Sequence, residues 1–297
     1  MDEGRGAASK GGGRVPCVFI NLDRAVERRR FVEGQAERLG LAVERFAALR
    51  SEDVDDSTFE LLSRQWERPL TRVELAVFLS HKALWARAAR SRAGLVILED
   101  DVVLSSAITD FLAEAPTGFD LVNLENFDRR KFFRRRGGYQ HRGVEVTPIA
   151  RDKAGAAAYY LSPGGARKLL AAAETAAAPA DAFLYRSGRL SVAQAEPALA
   201  MQAHILAGCG VEPGIATMTQ IHVPRKKLPW TRKNMGFLVR RLATQLDLLR
   251  FQILRGLGLV EFRRPRVDLG AFGRSSSFRE DPQKRAQATG RPAQTSS

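Results

Sequence analysis

The stretch LVILEDDVVL, residues 95–104, sets four apolar residues before three consecutive carboxylates, Glu99, Asp100 and Asp101, and then resumes with Val102, Val103 and Leu104. A short continuous apolar run of this kind reads as a strand buried on both faces, which puts the acids at its C-terminal end. In open α/β sheets that edge is where ligands bind. Three adjacent acids beside apolar residues repel one another and call for a compensating cation; the plain alternative is a solvated strand-to-loop turn. Mg2+ and Mn2+ take oxygen ligands, and Mg2+ is usually held by one or two carboxylates plus substrate phosphates. Strand alternation puts Glu99 and Asp101 on roughly the same side and leaves Asp100 to hydrogen-bond the backbone or a ribose.

Working outward, LTRVELAVFLSHKALWARAARS predicts a helix from about Thr71 to Ser91, with Thr71 and Glu74 at capping-box spacing and Gly94 as its breaker. VPCVFINL (15–22) predicts a first strand, the charged segment ending at Gly40 a helix, and VERFAAL (43–49) a second strand, a β-α-β start. Downstream, FDLVNL (119–124) reads as a strand and DRRKFFRRRGGYQHRG as a basic loop. AGAAAYYLSPGGARKLLAAA then reads as a strand through Tyr160, a Ser-Pro-Gly turn and a helix from about Gly165. The fold class expected is α/β, with a domain over residues 14–224 between a disordered start (1–13), a basic helical extension (225–266) and a disordered tail (267–297).

The 297-residue chain carries a net charge of +14, but residues 225–266 hold 12 Lys/Arg against 2 Asp/Glu, while residues 1–224 hold 30 against 28. The basic character therefore belongs to the extension. Cys17 and Cys209 lie far apart with no CxxC spacing, so neither a disulfide framework nor a cysteine zinc site is suggested. The start lacks the apolar segment of a secretory signal, so a cytoplasmic location is expected.

VFINLDRAVERRRF, LTRVELAVFLSHKALW, VILEDDV, AAYYLSPGGARKLL and PADAFL, taken in order over residues 15–203, resemble the family 25 glycosyltransferases. The resemblance implies a GT-A fold, a Rossmann-like nucleotide-sugar-binding sheet flanked by helices. It also implies a UDP-sugar donor that supplies a hexose, galactose first among candidates, and Mn2+ or Mg2+ held by a DxD-type motif. Carried over, Glu99 and Asp101 take the outer positions of that motif and Asp100 the middle one. Asn21, Arg24 and Arg28 follow the first strand, where they are expected at the donor, and Glu74, Ser80 and His81 of the central block are expected there too, with core packing the alternative for His81. Inverting transfer needs a carboxylate to take the acceptor hydroxyl proton, with Asp181 the first candidate and Glu125 the second. His222 is a further candidate metal ligand. Two departures stand out: Ala76-Val77 where many members have Gly-Cys, and RRKFFRRRGG in a region expected to face the acceptor.

In the extension, Met235, Leu238, Leu242, Leu246, Leu249, Ile253, Leu257 and Val260 fall at helical spacing among basic residues. This predicts an in-plane helix on an anionic membrane surface, against the alternative of a helix packed on the domain's own core. The expected partners are then a UDP-sugar, a lipopolysaccharide or other glycan or glycolipid acceptor, and the inner face of the membrane. Two other readings compete. Mg-dependent phosphoryl transfer would use the same acidic edge, but no P-loop is present. Nucleic-acid binding through the basic tail leaves the acids unexplained, and no nucleic acid is expected as a partner.

Overall fold

A computed structural model describes residues 14–152, 155–186, 189–216 and 231–273. From the N-terminus, β1 (Cys17–Asn21) leads through α1 (Val26–Leu39) to β2 (Val43–Ala47), which returns parallel to β1. Helices α2 (Asp56–Leu62) and α3 (Arg72–Arg90) precede β3 (Leu95–Glu99), parallel to β1 on its other side. Next come β4 (Val102–Leu104), α4 (Ile108–Phe111), β5 (Leu121–Asn123), β6 (Lys131–Arg134), β7 (Tyr139–His141), β8 (Val144–Arg151) and β9 (Ala158–Leu161). The chain continues through α5 (Pro163–Ala172), α6 (Ala180–Arg186), β10 (Val192–Glu196), β11 (Ala200–Gln202) and α7 (Ala203–Gly208). Helix α8 (Met235–Gly256), β12 (Val260–Arg263) and α9 (Gly270–Gly273) complete the described elements.

The sheet order is β12-β6-β8-β10-β5-β9-β3-β1-β2, with β7 on β8. Strands β2, β1, β3, β5 and β10 share one direction, and β9 runs against them between β3 and β5. Both faces of the centre are covered. Phe19, Val96, Leu98 and Tyr160 pack on one side with Val32 and Ala36 of α1. Val18, Leu95, Ile97 and Tyr159 pack on the other with Phe78 and Trp85 of α3. That two-sided burial is why β1 and β3 read as unbroken apolar runs.

Local signals set the element ends. Gly40 takes the left-handed conformation that closes α1, and Thr71 and Glu74 form the predicted reciprocal cap on α3. Gly94 sits at φ +75°, where a Cβ would lie 2.4 Å from the Leu161 carbonyl oxygen, so the turn into β3 requires glycine. Ser162-Pro163-Gly164 is a helix start rather than a free turn: Ser162 Oγ accepts the Gly165 N–H at 3.0 Å, with Pro163 in the first helical position.

Three expectations need correction. The segment expected as a basic loop contains β6 and β7, because Phe132 and Phe133 are buried and Lys131, itself 2% exposed, is neutralised by Asp152 at 2.6 Å. Residues 267–273, expected in the disordered tail, are ordered: Phe272 is buried in a cluster with Val103, Met201 and Leu206. Helix α8 stops at Gly256, so Val260 leaves the predicted stripe and joins β12, which pairs antiparallel with β6.

Helix α8 docks through a face the apolar stripe does not include. Phe237 and Phe251 are buried, Phe251 lies 5.7 Å from Phe132 between ring centroids, and Arg240 donates to the Trp66 and Arg64 carbonyls. Met235, Leu242, Leu246, Leu249, Ile253 and Leu257 are exposed. At 100° per residue their ridge lies opposite Phe237 and Phe251. No helix among the described residues is long and apolar enough to cross a membrane.

Candidate active site

Strand β3 delivers Glu99 to the sheet's C-terminal edge, and β4 begins three residues later. The intervening acids have separate environments. Asp100 is clamped: Asn21 Nδ2 donates to Oδ2 at 2.7 Å and Arg28 donates to Oδ1 at 3.0 Å. Asn21 is in turn fixed by Arg45, which donates to its side-chain oxygen at 2.9 Å. Asn21 and Arg28, expected at the donor, orient the acidic turn through Asp100, each occupying one of its carboxylate oxygens. Arg24 is exposed on the turn between β1 and α1.

Asp101 is largely buried, with a side chain 16% exposed and Oδ1 without a hydrogen-bond partner among the described residues. Burial, then the neighbouring Glu99 charge, pushes its carboxyl well above the usual carboxylate range. Gln202, at the end of β11, donates to it from the facing strand, and the Ala203 N–H donates to the Asp101 carbonyl at 2.9 Å.

His81 is fully buried on α3 and belongs to a chain of contacts ending at Glu99. Trp85 Nε1 donates to the Tyr159 hydroxyl at 2.9 Å, and that hydroxyl lies 2.8 Å from His81 Nδ1. With the hydroxyl hydrogen on Nδ1 the imidazole proton sits on Nε2, and in the other tautomer Nδ1–H donates to the hydroxyl oxygen. Nε2 faces Glu99 Oε1 at 3.5 Å. His81 thus packs in the core with its ring beside a site carboxylate.

Glu125 follows β5 and is fully buried. Its Oε2 accepts the Ala157 N–H at 3.0 Å, and Oε1 has no hydrogen-bond partner among the described residues. Burial and the Glu99 charge push its carboxyl up to about 8. Gly155 passes so close that a Cβ there would lie 3.0 Å from Glu125 Oε2.

Of these groups, Glu99 and Gln202 line a cavity of about 180 Å3, together with Glu74, Val77, Phe127 and Asp181 among others. Asp181, in the first turn of α6, accepts the Ala182 N–H at 2.7 Å and lies on the cavity wall. Glu125 stands behind the Gly155–Ala157 wall. Two further residues expected at the donor also make structural contacts. Ser80 is buried, donating to the Ala76 carbonyl at 2.8 Å and accepting the Leu49 N–H at 3.0 Å. Glu74 lines the cavity, but its carboxylate caps α3 and pairs with Arg68; burial raises its pKa, and these hydrogen bonds outweigh that and hold it below the usual value. Of the departures from the family pattern, Ala76 is core, whereas Val77 is part of the cavity wall.

Among the described residues no three His, Cys, Asp or Glu side chains form a ready-made metal cage, and His222 lies outside those residues. Even so, Glu99 and Asp101 fit a hard cation: two carboxylates at one edge, one with an orphaned buried oxygen, suit an ion completed by substrate phosphates.

The profile for "Glycosyltransferase family 25 (LPS biosynthesis protein)" matches residues 15–184. The chain belongs to glycosyltransferase family 25. A "Glycosyltransferase 25 family member" of Aedes aegypti is 28% identical over 168 residues, 51% of this chain and 27% of that protein. "Lacto-N-neotetraose biosynthesis glycosyltransferase LgtB" of Neisseria meningitidis serogroup B is 36% identical over 98 residues, 32% of this chain and 36% of the relative. "Lacto-N-neotetraose biosynthesis glycosyltransferase LgtE" of Neisseria gonorrhoeae is 33% identical over 117 residues, 38% of this chain and 40% of the relative. The chain thus spans well under two thirds of the curated relatives it matches.

Several residues of this family 25 site escape sequence reasoning. Gln202 ends the apolar run PALAM as the acids end LVIL, and that polar ending was a usable signal. Tyr159, Arg45 and Lys131 had none, because each is defined by a partner distant in sequence.

Proposed function

We propose that this chain is an inverting GT-A glycosyltransferase that moves a hexose, galactose first among candidates, from a UDP-sugar to a lipopolysaccharide or other cell-surface glycan acceptor. The observation that carries the reading is the convergence of Glu99, Asp101 and Glu125 at the C-terminal sheet edge of a family 25 domain, with orphaned buried oxygens on two of them. Glu99 and Asp101 would hold Mn2+ or Mg2+, which when bound neutralises charge on the departing diphosphate. Asn21 and Arg28 keep the acidic turn in place. Asp181 takes the acceptor hydroxyl proton from the cavity wall, with Glu125 the second candidate. The cavity is closer in size to a sugar ring than to a whole nucleotide sugar, so the nucleotide extends outward toward Arg24.

The test is nucleoside diphosphate release across a panel of nucleotide sugars, with and without Mn2+. Metal-dependent release from a UDP-sugar is expected. Failure of every donor to turn over or bind overturns the reading.

The outer ridge of α8 supports a membrane-surface acceptor. Residues 231–256 carry six basic side chains and one acidic, which repel a second copy and attract anionic lipid, and the exposed ridge itself is apolar. A nucleic-acid face would instead present cations along its exposed ridge. Leu246 and Leu249 are 60% and 56% exposed, so Leu246→Glu with Leu249→Glu leaves the fold intact. Sedimentation with phosphatidylglycerol vesicles is expected to fall at least tenfold in that variant. Unchanged binding, or equal binding of the wild type to neutral vesicles, rules out this docking face.

A further inference from the structure

A second cavity, about 480 Å3, lies between the β12–β6–β8 end of the sheet and α8. Arg129, Arg130, Arg151 and Arg264 line it, and Phe132 and Phe262, 4.5 Å apart between ring centroids, give it an apolar wall. Its two acidic residues are already matched. Asp128 pairs with Arg264 at 3.3 Å, and Asp152 pairs with the buried Lys131 at 2.6 Å. Arg151 pairs with Asp247 of α8 at 3.2 Å. Arg129 stacks on Phe127, its guanidinium carbon 5.0 Å from the ring centroid, and neither it nor Arg130 has an ion-pair partner among the described residues. The cavity therefore carries surplus positive charge next to an aromatic surface.

Its position gives that charge a use. Phe127 lines the first cavity and Asp128 the second, and adjacent Cα atoms are only about 3.8 Å apart. The β8 end makes the same link, with Asp152 on one cavity and Gly155 on the other. The two cavities therefore share the Phe127–Asp128 segment of their walls, and a saccharide seated in the first can extend toward the second.

We infer that this arginine-lined cavity binds the anionic substituent, phosphate or carboxylate, of a saccharide acceptor. Guanidinium groups grip both anions bidentately, and Phe132 and Phe262 cover the apolar face of the ring that carries them. The word acceptor rests on the transferase reading above; the binding of an anionic saccharide does not.

Calorimetric titration of the full chain with a hexose 6-phosphate, a hexuronate, the neutral hexose and inorganic phosphate separates the possibilities. At least one charged sugar is expected to bind tenfold or more tighter than both the neutral hexose and inorganic phosphate, and to weaken as salt rises. A response to the phosphorylated sugar alone assigns phosphate, and one to the uronate alone assigns carboxylate. Arg129→Ala with Arg130→Ala, both exposed side chains, should cost at least tenfold in that affinity, and the paired Lys substitutions should restore part of it. Equal affinity for charged and neutral sugar, inorganic phosphate binding as tightly as the sugar phosphate, or unchanged affinity in the double Ala variant overturns the inference. UDP with Mn2+, titrated separately into the wild type, reports on the transferase reading: silence there with anionic sugar bound sinks that reading and leaves the cavity's ligand in place.

Discussion

Asp101→Asn is expected to reduce metal-dependent donor turnover by about a thousandfold or more while leaving thermal stability equal to or above that of the wild type. The two halves have one cause. Asp101 is held where burial and the Glu99 charge both oppose its ionised form, so the protein alone gains nothing from that charge. Replacing the carboxylate by the amide of nearly the same shape removes repulsion within the acidic turn and keeps a side chain for Gln202 to meet. What is lost is an anionic ligand for the cation that offsets charge on the leaving diphosphate, and about 4 kcal/mol of such stabilisation corresponds to about three powers of ten in rate. UDP release with Mn2+, set beside a melting curve, checks both halves. Normal turnover would remove Asp101 from the metal site. Lost turnover with a collapsed melting temperature would instead give Asp101 a role in folding.

Much of the frame that presents this residue was legible in sequence, because the signals were local. The apolar run before Glu99, the Thr71/Glu74 cap and Gly40 each act within a few residues of the feature they set. Function at the acidic turn was harder to divide among residues, since the deciding contacts bridge long separations. Asn21 and Arg28 reach Asp100 across 79 and 72 residues, so the clamp that a basic turn places on the acids is invisible in the sequence. The misread β6 and β7 have the same origin. A lysine among arginines reads as loop unless Asp152 is known to neutralise it. In α8 periodicity revealed the apolar stripe but not its direction, because Phe237 and Phe251 dock the opposite face.

Glu125 makes the second large prediction, one of pH dependence without added metal. In the unfolded chain its carboxyl ionises near 4.5, and in the fold near 8. Between those values the folded protein keeps a proton that the unfolded chain has released, so stability is fully present below about pH 4.5, falls as pH rises and levels off above about pH 8. Glu125 is fully buried, and a shift of this size corresponds to about 5 kcal/mol as an order of magnitude, which relaxation around Lys131 would reduce. Asp101 is shifted in the same direction and adds to the slope. Glu74, Asp120 and Glu196 are shifted downward, so their contributions are lost only at more acid pH. Urea unfolding at pH 5, 6.5 and 8.5 in the presence of a chelator should show the wild type losing several kcal/mol across the series. Glu125→Gln should flatten most of that loss, and Asp101→Asn combined with it should flatten the rest. A wild type equally stable at pH 5 and 8.5 would mean that Glu125 is solvated or paired in a way its burial does not suggest. The same carboxyl, with a pKa close to neutral and one oxygen unpartnered, is chemically suited to accept a proton, but the Gly155–Ala157 wall stands between it and the cavity that Asp181 faces directly. A Glu125→Gln variant that regains stability at high pH and keeps its turnover would therefore assign the base to Asp181.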